Sequence, residues 1–90
     1  MIEVCFPPHL RRHFPVPLTC HIEAATAADA IAELDRLFPG VAAYVIHENG
    51  ALRKHVNLFL DEQFIRDRER LTDSLAGVKK LYVMQALSGG

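Results

Sequence analysis

The chain lacks an excess of charge of either sign: 10 Lys and Arg stand against 11 Asp and Glu, a formal net charge of −1. That balance removes the electrostatic case for a nucleic-acid or anionic-membrane partner. Cysteine is scarce, with Cys5 and Cys20 the only two, too few for a disulfide scaffold. No apolar run approaches the roughly 20 residues that span a bilayer. The opening MIEVCFPP carries no basic stretch followed by a long apolar region, so no signal peptide is expected. Repeats and low-complexity segments are missing as well. A reducing, cytoplasmic location is the expectation from these absences together.

At 90 residues with 50% apolar side chains, there is material for one domain and one core. A chain of this size buries only roughly two-thirds of its unfolded surface, so the core must be efficient. Residues 1–6 alternate, with Ile2, Val4 and Phe6 on one face, which predicts a strand. Pro7 and Pro8 end it, because proline donates nothing to a ladder. The proline-rich stretch through Pro15 and Pro17 predicts a broad irregular turn. Leu18, Cys20 and Ile22 then alternate with polar neighbours as a second strand, paired to the first as a hairpin.

Thr26 followed by Asp29 resembles a capping box, an acceptor for orphan amides with an acid in the first turn. Ala30, Ile31, Leu34, Leu37 and Phe38 recur at helical spacing and give a helix one apolar face. Pro39 and Gly40 stop it. Residues 41–46 are ambiguous, with a short helical turn as one reading, and Glu48, Asn49 and Gly50 signal a turn. Residues 55–60 (HVNLFL) predict a third strand, apolar on both faces and therefore internal. A short fourth strand follows over 63–66, a turn of helix over 71–75, a break at Gly77 and a last strand over 79–86. The order ββαββ describes an α+β β-grasp, the ubiquitin-like roll: a mixed sheet of four to five strands with one main helix packed across it. Residues 1–86 form the domain, and 87–90 form a flexible tail ending in Gly89 and Gly90.

That tail carries the chemistry. Ser88, Gly89 and Gly90 follow directly on the last strand. Glycine has no Cβ, so such a tail threads narrow channels and adopts backbone angles closed to other residues. The five residues from Ala86 to Gly90 extend by about 17 Å, enough to reach a recessed nucleotide site. A main-chain carboxylate delivered there attacks the α-phosphate of ATP and becomes an acyl-adenylate. A frayed end is the competing account of the diglycine.

The diglycine, the segment HVNLFLDEQFIRD and the opening MIEVCFPPHLRRH resemble the MoaD/ThiS family of sulfur-carrier proteins, and within it a CysO-like branch. The similarity spans nearly the whole chain and is most specific over residues 53–60 and at Gly89 and Gly90. Two positions depart from the family pattern: residues 76–79 read Ala-Gly-Val-Lys before the last strand, and Asp61 stands where Asn is common. The resemblance implies that a ThiF/MoeB-like adenylyltransferase activates Gly90 with ATP, and that no cofactor is bound to the carrier itself. A sulfurtransferase, a desulfurase or sulfide then supplies sulfur, and Gly90 becomes a thiocarboxylate. The sulfur passes to an acceptor enzyme making cysteine, molybdopterin, thiamin or a similar compound.

Alternation also defines a docking face. With the helix over Val4, Leu58 and Leu81, the opposite face carries Cys5, Phe59, Tyr82 and Met84 on adjacent strands. An apolar patch of that kind marks a protein interface unless loops cover it or a second copy packs there. The other candidates are weaker. His9 and His13 with Cys20 or His21 contain metal-ligand chemistry, but a proline-flanked turn does not put His9 and His13 on one helical face, so solvated loop histidines are expected and no metal site. His55, beside Arg53 and Lys54, reads as an exposed basic cluster. Cys5 and Cys20 fall on opposite faces, which opposes a disulfide; Cys20 is expected in the core.

No phosphate loop or paired carboxylates point to catalysis. The chain is expected to be a co-substrate and not an enzyme, or the small non-catalytic subunit if it serves molybdopterin synthase. Two alternatives share its residues. One is a ubiquitin-like modifier joined to lysines through Gly90; the other is a non-catalytic β-grasp interaction module.

Overall fold

The structure, a computed structural model, describes residues 1–85. The predicted tail with Ser88, Gly89 and Gly90, and the domain boundary at residue 86, lie outside the described residues. Within them the elements run β1 (Ile2–Cys5), α1 (Pro8–His13), β2 (Thr19–Ile22), α2 (Ala27–Leu37), α3 (Val41–Val45), β3 (Val56–Leu60), β4 (Gln63–Phe64) and β5 (Lys80–Gln85). The five strands form one sheet in the order β2-β1-β5-β3-β4. β1 pairs antiparallel with β2 and parallel with β5, while β3 pairs antiparallel with both β5 and β4. With α2 packed on one face, this is the β-grasp expected from the sequence.

The core sits between that face and the helix. Val4, Leu58 and Leu81 point inward from three neighbouring strands and are fully buried, together with Ala30 and Leu34 of α2. Each large aliphatic side chain removed from water in this way contributes about 1.5–3 kcal/mol. α2 begins as predicted: Thr26 is the N-cap, and its hydroxyl accepts from the Asp29 amide at 3.2 Å. The apolar face is narrower than predicted, because Leu37 near the C-terminus is 41% exposed. Phe38 packs edge-on against Phe6, ring centres 5.8 Å apart.

Three local predictions need correction. The proline-rich stretch after β1 is not an irregular turn but contains α1. Pro8 occupies the first turn, where its missing N–H is unneeded and its fixed φ suits a helix. Leu10 anchors that helix by complete burial. His9 and His13 therefore do lie one helical turn apart on one face. Second, residues 71–75 are not a turn of helix. Leu71 has φ +54°, Ser74 bridges to Thr26, and the Leu75 amide donates to the Ala25 carbonyl. Leu71 and Leu75 are buried as irregular chain packed beside the start of α2. Third, β4 stops at Phe64, because Asp73 draws the amides of Arg66 and Asp67 out of the ladder direction at 3.0 and 2.8 Å.

Carboxylates hold the remaining connections. Asp35 accepts from the amides of Gly40 and Ala42 and so starts α3. Asp67 accepts from the Thr72 hydroxyl and from the amides of Glu69, Arg70 and Thr72. Arg68 donates to the carbonyls of Arg53 and Val56, both at 2.9 Å, tying this loop to the start of β3. Among the described residues no helix is long and apolar enough to cross a membrane.

Gly40 adopts φ +102°, and a Cβ there would lie 2.9 Å from the Phe14 ring; Gly50, at φ +91°, has open space. Both alanine substitutions incur left-handed strain of about 1–2 kcal/mol. Gly40→Ala should therefore lower the melting temperature more than Gly50→Ala, and equal losses would show that Phe14 yields freely.

The Asp67 carboxyl is lowered from 3.8 to about 2, chiefly by the Thr72 hydroxyl and then by the Arg70 amide. Its folded value lies below its unfolded one, so its stabilisation is complete above the unfolded value and disappears as pH falls toward about 2. Urea midpoints should place Asp67→Asn below the parent at neutral pH, with the gap closing in that acid window.

Candidate functional site

β5 occupies the middle of the sheet, and its two neighbours determine what lies beside each of its side chains. Tyr82 is paired with Cys5 on β1 and with Phe59 on β3, and Phe59 is paired in turn with Phe64 on β4. Paired residues share a face. A single row, Cys5-Tyr82-Phe59-Phe64, therefore crosses four strands on the face away from α2. The rings of Phe59 and Phe64 are 4.9 Å apart at 69°, and those of Phe59 and Tyr82 are 6.1 Å apart at 59°. One step further along β5, Met84 pairs with Asn57 on the same face.

The structure thus places Cys5, Phe59, Tyr82 and Met84 together. Phe64 at 57% and Met84 at 42% are the exposed ends of the patch, while Cys5, Phe59 and Tyr82 are half-buried. Phe64 was missed at the sequence level. A two-residue turn at Asp61 and Glu62 makes Leu60 face Gln63 and Phe59 face Phe64, and counting outward from that turn would have found it.

A groove continues the patch toward α1. Tyr82, Met84 and Cys5 line it from the sheet, with Pro8, His9 and Arg12 opposite. Gln85, the last residue of β5, pairs with Val56 at the start of β3. β5 therefore ends next to exposed Lys54 and His55 and near the α1 end of the groove. Arg53 is absorbed structurally, its Nε donating to the Ala43 carbonyl at 2.8 Å. The Lys79 and Lys80 pair sits at the opposite end of β5. Asp61, at φ +56°, accepts from both of their amides, at 3.1 and 2.9 Å, and so fixes where β5 begins.

The electrostatics of this face are quiet. Burial raises the Cys5 thiol, and the neighbouring Glu3 carboxylate adds to the shift against a smaller opposing effect of Lys80. Burial likewise raises Cys20, with Cys5 contributing. Both thiols are free and disfavour the reactive thiolate. Cys20 stands opposite Val4, and so on the face away from Cys5, half-buried against the core. Among the described residues, no three His, Cys, Asp or Glu side chains group so as to hold a metal ion.

No protein-family model matches the chain, and no curated protein matches it. Solved structures share its architecture. A chain of the Amycolatopsis orientalis BexX/CysO complex superposes with a TM-score of 0.85 at 21% identity, covering 100% of both chains. Mycobacterium tuberculosis CysO, described as an antigen, superposes at 0.84 with 19% identity over 97% of this chain and 100% of that one. SAMP1 from Haloferax volcanii gives 0.78 at 22% identity over 99% and 98%. At these identities the likeness establishes the fold.

Proposed function

We propose that the chain is a ubiquitin-like sulfur carrier, a co-substrate and not an enzyme, whose Gly90 becomes a thiocarboxylate. The observation that supports this most is the position of β5. The central strand, flanked on both edges, leads the chain toward the diglycine beside an apolar face that has Phe64 and Met84 exposed. The shared fold with two chains from CysO structures supports the same reading.

In the proposed sequence the face around Cys5, Phe59, Tyr82 and Met84, extended by Phe64, docks on a ThiF/MoeB-like adenylyltransferase. The residues from Ala86 onward reach about 17 Å into its nucleotide site. The Gly90 carboxylate attacks the α-phosphorus of ATP, and pyrophosphate leaves. The sulfur of a donor, in the simplest case sulfide, attacks the acyl carbon, and AMP leaves with the bonding pair. The thiocarboxylate then donates sulfur to an acceptor enzyme of a biosynthetic pathway. In the BexX/CysO complex a chain of this fold sits with a second protein, which supports a carrier that works by docking.

Protein with its native C-terminus, incubated with the adenylating partner, ATP and sulfide, should gain the mass of one oxygen-for-sulfur exchange at Gly90. An unchanged mass would overturn the carrier reading, and Gly90-dependent adducts on lysines would favour the protein modifier.

Met84→Asp should lower kcat/KM for adenylation by about tenfold or more, since a charge would enter a desolvated docking surface. Its melting temperature should barely move, because Met84 is exposed. Unaltered kinetics would remove this face from the docking surface.

A further inference from the structure

The sequence contains a pair of histidines that the proposed carrier chemistry does not use. His9 and His13 stand one turn apart on α1, and their ring centres are 4.8 Å apart at an interplanar angle of 65°. Residues i and i+4 of a helix lie on the same face. Two imidazoles binding one metal at about 2.0–2.1 Å, with an angle between tetrahedral and square, place their ring centres about 4.5–5.2 Å apart. The observed separation falls inside that interval. We propose that His9 and His13 form a two-point chelating site for an imidazole-preferring divalent transition metal such as Ni2+ or Zn2+, with water in the other positions.

The surroundings hold the pair in place. The Tyr44 ring lies 5.9 Å from His9 and 6.2 Å from His13, and Phe14 packs edge-on against the same tyrosine at 5.9 Å. Imidazoles already backed by a rigid ring lose less rotamer freedom when they close on an ion. His13 is exposed and His9 half-buried, so one edge of the pair is open to solvent. The Tyr44 hydroxyl is shielded and has no hydrogen-bond partner among the described residues. The imidazoles are the donors.

Other groups compete less well. His55 also contacts Tyr44, at 6.3 Å, but belongs to the segment before β3 and completes no three-residue cluster. Cys5 and Cys20 sit on opposite faces of the sheet, so the two thiols cannot grip one ion together. The site does not depend on the sulfur-carrier reading, since it uses only residues of α1.

The test uses the full chain without a histidine tag, under reducing conditions that keep both thiols free. Ni2+ is titrated in while imidazole resonances are followed by NMR and affinity by calorimetry. His9 and His13 should broaden first and together, ahead of His21, His47 and His55. Removing one arm of a chelate forfeits an intramolecular binding step, so His13→Ala should weaken Ni2+ about tenfold to a hundredfold. His55→Ala should leave affinity unchanged. Because His13 is exposed, its variant keeps the test valid even where His9→Ala disturbs α1. Uniform broadening of all five histidines, or an affinity indifferent to His13→Ala, would overturn the proposal.

Discussion

The pairing of β5 on both of its edges is the constraint on which the rest of the structure depends. A strand with β1 on one side and β3 on the other has its backbone donors and acceptors satisfied in both directions. It also has no freedom of register, since a slip of one residue would send Leu81 and Val83 to the outer face. Leu81 and Val83 therefore join the buried core, and Tyr82 and Met84 face the outer side of the sheet. The parallel pairing with β1 requires the rest of the domain to be built between the two strands. β5 thus closes the sheet at its centre.

The connections are held differently. Much of the chain outside the strands and α2 has no regular ladder, and its amides are collected by a few carboxylates. Asp35 organises the passage from α2 to α3, Asp61 the start of β5, and Asp67 with Asp73 the loop between β4 and β5. Because these acceptors bond to amides from two to nineteen residues away, they fix the loops both internally and relative to one another. Asp61 shows the economy of this arrangement. A short polar side chain tolerates its left-handed backbone, and the same carboxylate then ties the β3-β4 turn to the two residues that begin the central strand.

Sequence reading succeeded where one period dominated. Val4, Leu58, Leu81 and Val83 alternate with polar or outward residues, and Ala30, Ile31 and Leu34 recur every three to four, so both faces of the core could be read. It failed where two local signals competed. Prolines at 7, 8, 15 and 17 argue for coil, yet Pro8 is at a position where a helix accepts it and Leu10 supplies a buried anchor. Conversely, Leu71 and Leu75 have helical spacing but fill the core from irregular chain, because the Asp67 and Asp73 carboxylates bind the nearby amides instead.

The sequence by itself determined the sheet, the main helix, the outward direction of Cys5, Phe59, Tyr82 and Met84, and the diglycine on which the proposed chemistry rests. These follow from alternation and helical spacing, which act over a few residues. Tertiary structure alone decided that α1 sets His9 and His13 against Tyr44. It also decided that Asp61 reaches across to Lys79 and Lys80. Each of these depends on strand register or on contacts between residues far apart in the chain, and no local pattern carries that information.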